Sequence, residues 1–415
     1  MKFTKLEKSW ILYDVANSAF VLLVSTIIPI YFDYLADLGG LSETQYLAYW
    51  SYAASIATLV VAILGPILGT TADRKNYKKP IFVIMLLVGC VGCFVLGFMK
   101  SWILFLIIFI ITKIGYSAAN VFYDAMLTDV TTKERMDQVS SHGYAWGYIG
   151  SCIPFIIGLV FILFYDSMGI TMEMAMGISL WITALWWFLL TTPLLKRYKQ
   201  VHYVEATPGA VKSTFIQLGR TFKDIAKNKS ILFFYIAFFF YIDGVYTIIE
   251  EATAYGTALG LDSTGLLLAL LVTQIVAFPC SIIFGKLSKR FSDEKLIPIC
   301  IIAYTLITLY AVFMDSQLQF WILAVCVGMF QGGVQALSRS YFGKIIPPEK
   351  SGNYFGVLDI CGKGASFLGT FTVGIVTQLT SNFSLGVGAL VVFFVAGFIF
   401  FILSVRERKK ALPAA

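Results

Sequence analysis

The sequence predicts an all-α polytopic membrane protein, with twelve transmembrane helices in two six-helix pseudo-repeats. Three observations carry that reading. Of the 415 residues, 58% are hydrophobic and 13% charged, about half the charged share of a soluble domain. Apolar stretches long enough to cross hydrocarbon, which takes about 20 residues, occur twelve times. The loops of the two halves also echo each other. Gly69-TTADRK-N-YKKP after the second span returns as Gly285-KLSKRFSDEK after the eighth, and Glu134-Arg135 after the fourth returns as Glu349-Lys350 after the tenth. Parallel duplication of this kind marks transporters whose halves rock about a shared site.

The predicted spans lie at 10–33, 47–70, 80–99, 101–127, 143–165 and 175–195, then at 230–256, 264–285, 296–314, 318–343, 353–380 and 385–405. The first half is therefore residues 1–195 and the second 230–405, with a linker at 196–229 and a basic tail at 406–415. In the linker, Phe215, Leu218, Phe222 and Ile225 recur at helical spacing among Arg220, Lys223 and Lys227. That pattern predicts an amphipathic helix on a membrane surface. Twelve crossings put both termini on one side. Nearly all of the 31 Lys and Arg fall there; Lys100 lies opposite, and Lys113, Arg339 and Lys363 lie inside spans. An excess of basic residues marks the cytoplasmic side, so both termini are expected in the cytoplasm of a plasma (inner) membrane. The net charge of +7 is then a topology signal, and no nucleic-acid partner is needed to explain it.

The seven cysteines sit in apolar runs, where small packing residues are the ordinary reading. Cys90 and Cys93 form a CxxC, but two thiols alone do not make a zinc site. His142 and His202 are the only histidines, so neither a metal centre nor a cofactor is expected. No GxxxxGK[ST] phosphate loop is present, which argues against ATP hydrolysis. With no nucleophile–base constellation either, the chain is not read as an enzyme.

Ionisable groups inside spans are functional candidates by default. Asp14 and Asn17 share a face of span 1; an interfacial salt bridge is the plainer reading of Asp14. In span 4, Lys113 and Asp124 lie close to whole turns apart, with Asn120 one turn from Asp124 and Tyr123 beside it. Lys113 fits either a substrate carboxylate or an intramembrane acid. Asp243, Tyr246 and Glu250 of span 7 follow i, i+3, i+7 and predict one stripe, with Gly244 allowing a local break. Asp243 is the first candidate for proton coupling, then Glu250, with Asp14 a third; Glu251 reads as a solvated mouth residue. Span 10 offers Gln331 and Gln335 for ligand hydrogen bonds. Arg339 follows as a gate or a partner for an acid of span 1 or 4. Asp359 and Lys363 of span 11 are i, i+4 and either pair with each other or line the path. Asp73, Arg74, Asp129 with Arg135, Arg339 and Asp359 are expected gate elements, holding the halves together where termini lie.

The loop Gly69-x-x-x-Asp73-Arg74-x-Asn76-x-Lys78-Lys79 resembles the signature loop of the major facilitator superfamily. Asn76 stands where the pattern has Gly, and the second copy has Lys289 in place of Asp73. YDVANSAF (13–20), FYDAMLTDV (122–130), VSSHGYAWGYIGS (139–151), FYIDGVYTI (240–248), GGVQALSRSYFGKIIP (332–347) and GVLDICGKGASFLG (356–369) narrow the match. These strings resemble the vacuole effluxer family, which includes fungal autophagy-related effluxers that return amino acids to the cytosol. The long loop insertions of the fungal members are missing, which suggests a bacterial member. The resemblance implies the major facilitator fold, with spans 1, 4, 7 and 10 lining a central cavity; a monomer is expected. A cavity presenting both signs of charge suits a zwitterion. The reading is thus a secondary active transporter in the lipid bilayer, moving a small-molecule substrate such as an amino acid by alternating access with proton coupling. The rival reading is a proton-driven exporter of amphipathic compounds or lipids.

Overall fold

The computed structural model describes residues 2–205 and 210–411, with side chains throughout except at 210–215, 217, 363–367 and a few positions at the far helix ends (43, 44, 47, 253, 254, 258, 263, 264 and 267). The first crossing is broken in two, α1 (Lys5–Val24) and α2 (Ile27–Leu38). Then come α3 (Glu43–Ala72), α4 (Lys78–Leu96), α5 (Trp102–Val130), α6 (Met136–Leu163) and α7 (Met172–Arg197). The linker holds α8 (Ala210–Lys227). The second half runs α9 (Lys229–Ala258), α10 (Ser263–Leu287), α11 (Asp293–Val312), α12 (Gln317–Ile345) and α13 (Ser351–Thr380), closing with a second broken crossing, α14 (Phe383–Gly388) and α15 (Leu390–Ala411). Eleven of these crossings are long and apolar enough to span a bilayer on their described residues. The twelfth is α13, whose 30 residues extend about 45 Å.

The helices outrun the apolar stretches that announce them. The first begins at Lys5, because Thr4 and Glu7 form a reciprocal cap: the Thr4 hydroxyl accepts from the Glu7 amide, and the Glu7 carboxylate accepts from the Thr4 amide. Hydropathy detects the segment in hydrocarbon, whereas capping sets where the helix starts. The break at Ser25-Thr26 precedes Pro29, which has no N–H to give the previous turn. The two hydroxyls bond back to the carbonyls of Val21 and Leu22.

Equivalent helices pack alike in the two halves. In the first, α1 lies on α6 and α7, while α5 lies on α3 and α4; in the second, α9 lies on α13 and α15, while α12 lies on α10 and α11. Buried apolar side chains form one cluster from Trp10 to Tyr198 and another from Ile225 to Val405, the latter also taking in Ala125. Across the seam, α3 packs on α13 and α6 packs on α10 and α12. The closest approach is backbone to backbone: a Cβ at Gly69 would strike the carbonyl of Gly352, and one at Gly356 would meet Gly65 at 2.7 Å. These glycines lie toward the end of the bundle that carries both termini, here termed the basic face; the opposite end is the far face.

Residues 198–205 do not hang free. Val204 donates to the Asp73 carbonyl at 2.8 Å, and Gln200 donates to the Ala72 carbonyl at 3.1 Å, strapping this stretch to the first half. Helix α8 docks through Ile225, which is buried, and through Thr221, whose hydroxyl accepts from Asn353 at 2.8 Å. The spacing placed Phe222 on that same face, but it is 47% exposed; Phe215 lies outside the described side chains.

Candidate functional site

The chemistry of the seam centres on Arg339. It leaves α12 of the second half and enters the first. Its guanidinium donates to Asp14 of α1 at 3.0 Å, to Asp124 of α5 at 3.1 Å, and to the hydroxyl and carbonyl of Ser140 of α6 at 2.9 and 3.1 Å. Aromatic faces enclose it, with Tyr144 at 4.3 Å and Trp10 at 4.6 Å from the guanidinium carbon to the ring centre. Arg339 is built for this place. Its planar fork reaches several acceptors at once and stacks on rings, which a lysine ammonium does not do. Gly143 makes room, since a Cβ there would collide with the Asp14 carboxylate. The knot holds two carboxylates and one cation. Asp14 and Arg339 are sealed, with side chains 9% and 5% exposed, whereas Asp124 is 32% exposed.

Asp124 opens onto a polar zone between the halves on the far side of the knot. Asn120, half-buried, accepts from the Tyr13 hydroxyl at 3.4 Å. Tyr246 of α9 is within electrostatic reach of Asp124, Asp359 and Glu250. Gln335 accepts from Tyr148 at 3.4 Å, and the buried Gln331 carbonyl oxygen has no partner among the described residues. Nearer the far face, Lys113 of α5 is half-buried over Phe109 and interacts across the seam with Glu250 of α9, which is exposed. Glu251 is half-buried, and Asn17 is buried within α1. Lys363 lies outside the described side chains.

Three expectations need correction. Asp243 does not share the Tyr246–Glu250 stripe. It is fully buried inside the second half, accepting from Thr247 at 3.2 Å and from the Gly369 amide of α13 at 3.0 Å, with its other oxygen unpartnered among the described residues. Seven residues fall only slightly short of two turns, but the seam here is narrow, and Asp243 falls on the α13 side of it. Gly244 breaks nothing: α9 is continuous, and the glycine admits the Phe394 ring. Tyr123 is not open to a ligand. It is 1% exposed, stacked on Trp10 at 4.3 Å, and its hydroxyl donates to the Trp10 carbonyl at 3.1 Å while the Trp10 indole donates to the Tyr123 carbonyl at 3.0 Å.

The third correction lies at the basic face, where Asp129 and Arg135 do not pair. The Arg135 Nε donates to Glu7 at 2.7 Å. Asp129 accepts from Lys78 at 3.2 Å, from the Tyr198 hydroxyl at 2.6 Å, and from the His202 amide at 2.8 Å, so it ties the linker to the first half. Lys78 is fully buried and also donates to the Ser351 hydroxyl of α13 at 2.8 Å. Beside it, Asp73 accepts from the amides of Gly352 and Asn353 at 2.7 and 2.9 Å. A carboxylate of one half thus caps a helix of the other, answering its unpaired amides and dipole. Asp73 lies just past the end of its span, and burial pushes its carboxyl up to about 7 despite Lys78 and the two amides. On the other flank, Lys344 joins Asp137 of α6 to Asp293 of α11. Sequence reading missed Lys78, Ser140, Tyr144, Tyr198 and Lys344. Lys78 stood in the signature-like loop and Lys344 in the GGVQALSRSYFGKIIP string, both counted as topology charges with no partner named, and Ser140 and Tyr144 were visible as an i, i+4 pair in the VSSHGYAWGYIGS string.

Two matched six-helix halves, joined at one face and meeting around a polar knot, define a membrane transporter of the major facilitator class. The fold matches the Escherichia coli fucose:proton symporter FucP with a TM-score of 0.72 at 16% identity, covering 96% of this chain and 97% of that one. It matches the human organic anion transporter MFSD10 with a TM-score of 0.68 at 13% identity, covering 96% and 99%. At the level of sequence, residues 4–412 match the family described as vacuole effluxer Atg22 like, and the chain belongs to that family. A Bacillus subtilis relative named as an uncharacterized MFS-type transporter, YxiO, is 43% identical over 403 residues, 96% of this chain and 94% of that protein. Autophagy-related protein 22 of Cryptococcus neoformans is 24% identical over 292 residues, 65% of this chain and 50% of that protein.

Proposed function

We propose that the protein is a proton-coupled secondary transporter of a small zwitterion, an amino acid being the best fit, working by alternating access between halves 1–195 and 230–405. The observation that supports this most is the Arg339 knot, in which one guanidinium is shared by two carboxylates and only Asp124 meets the polar zone. The knot carries one surplus negative charge. A proton arriving from the far face neutralises Asp124 and releases one arm of Arg339. A substrate carboxylate can then take that arm, while the Gln331 and Gln335 oxygens accept from its ammonium. Loss of the Asp124 bond loosens α12 from α5, and the clamps at the basic face can part. In this scheme Asp124 is the coupling acid, Glu250 and Lys113 frame the mouth, and Asp73 and Arg339 act as gates. Both termini are cytoplasmic in a plasma (inner) membrane, and the protein works as a monomer.

The test reconstitutes the chain in proteoliposomes and screens the twenty amino acids first by thermal shift and then by uptake. Stabilisation by one or more of them, with uptake driven by a pH gradient, is expected. Asp124→Asn should abolish gradient-driven accumulation while sparing counterflow exchange. Unchanged pH dependence in that variant would remove Asp124 from the coupling step. Stabilisation by amphipathic compounds alone would instead favour their export.

A further inference from the structure

Away from the seam, helices α11 and α15 part at their basic-face ends around an open cavity of about 600 Å³. Lys295, Arg406, Lys409 and Lys410 line it against a single carboxylate, Glu294, with Ile402 and Val405 forming an apolar wall. Two of the cations are compensated: Lys409 lies 3.4 Å from Glu294, and Lys410 pairs with Glu407. Lys295 and Arg406 are both exposed, and neither side chain forms a hydrogen bond or ion pair with another described residue.

The position of the cavity identifies its occupant. The crossing from Phe383 to Ala411 has 29 residues, about 44 Å of helix against roughly 30 Å of hydrocarbon. Its last turns therefore stand at headgroup level, as does the start of α11. Below the cavity the two helices turn apolar side chains outward, Ile299 and Ile302 from α11 and Ile399 and Ile402 from α15, all exposed. A basic recess at the headgroup plane that continues into an apolar, outward-facing groove matches a molecule with an anionic head and acyl chains. We propose that this cavity binds an anionic phospholipid, its phosphate between Lys295 and Arg406 and a chain along the isoleucine groove. A free phosphate would satisfy the cations but leave the groove unused. The site is independent of the transport reading above.

The experiment uses the full-length chain, delipidated and titrated separately with phosphatidylglycerol, phosphatidylcholine and glycerol 3-phosphate, with bound molecules counted by native mass spectrometry. Phosphatidylglycerol should be retained in preference to phosphatidylcholine. Lys295→Gln with Arg406→Gln should weaken that retention about 5-fold per cation, some 25-fold together. Lys295→Arg with Arg406→Lys should preserve it, and Lys75→Gln, on the far flank of the same face, should leave it unchanged. Should the double variant fail to fold, Lys295→Gln alone, an exposed substitution, carries the test. Equal retention of the two lipids, or undiminished phosphatidylglycerol binding in the variants, would overturn the proposal. Glycerol 3-phosphate displacing the lipid at equal concentration would also overturn it, showing an anion site without a lipid groove.

Discussion

Two of the charged contacts between the halves are built on opposite plans. At the knot, Arg339 spans to Asp14, Asp124 and Ser140 by side-chain contacts, and Asp124 is partly wet. At the basic face, Asp73 reaches the backbone amides of Gly352 and Asn353, Lys78 reaches Asp129 and Ser351, and each of these acids is buried. The wet ionic contact can trade a partner for a proton or a solute. The dry contact to backbone admits no solute; it holds or it parts. The comparison teaches that the knot is suited to sensing and the basic-face clamps to locking.

Arg339→Ala should break the comparison most severely. It leaves two carboxylates facing each other, at a cost of about 3–5 kcal/mol, and transport in proteoliposomes should fall to background. Adding Asp14→Asn should recover part of the thermal stability but not transport; full recovery of both would deny Arg339 a role beyond neutralisation. Lys78→Ala comes next. Asp129 keeps its Tyr198 and backbone donors, so the loss should sit near the lower end of that range, about 3 kcal/mol. Spin-label distances between positions 79 and 349 should broaden as the basic face opens, whereas unaltered distances would mean that Lys78 holds only the linker.

Gly69→Ala acts on the lock by sterics alone. Its Cβ would meet the Gly352 carbonyl, an overpacking of about 1–3 kcal/mol felt only while the face is closed. The same labels should report more open molecules, and a distribution matching wild type would show that α3 and α13 can shift without penalty. Asp73→Asn sharpens the lock further, through pH. In the closed state burial, helped by Asp129, pushes the Asp73 carboxyl up to about 7 against Lys78 and the α13 amides; once the face opens and solvates it, an ordinary value of about 3.9 is expected. Closure therefore takes up a proton between those values. Its contribution is fully present below about 4, declines as pH rises, and is lost above about 7. The open population should grow from pH 5 to 7 in wild type and stay flat across that window in the variant, with a capping loss of about 1 kcal/mol. Asp243→Asn should do least. The Asn oxygen can still accept from Gly369 and Thr247, so a change below about 1 kcal/mol is expected, and loss of proton-driven uptake would restore Asp243 as a coupling group.

The membrane class, the crossings and the two-fold repeat were legible because they rest on composition and period, which are properties of short windows. Apolar length reports hydrocarbon, and loop charge reports the side that holds the termini. The polar candidates were legible too: Asp14, Asn120, Asp124, Gln331, Gln335 and Arg339 stand out because a polar group costs so much in a span. Their partners were not. Helical spacing shows which residues of one helix share a face, but not which neighbour that face meets. Asp243 and Tyr246 looked alike on that basis, and the packing of α13 against α9 sent one inward and left the other at the seam.

The chain alone therefore determined that this is a twelve-span duplicated bundle with charges reserved for a few central helices, since burial energies per residue suffice to impose it. Only the tertiary structure decided that Arg339 serves Asp14 and Asp124 together, that Asp129 anchors the linker through Tyr198 and His202, and that Asp73 caps a helix of the other half. Those pairings join residues more than a hundred positions apart in most cases. They exist only because packing carries the ends of separate helices within hydrogen-bond reach.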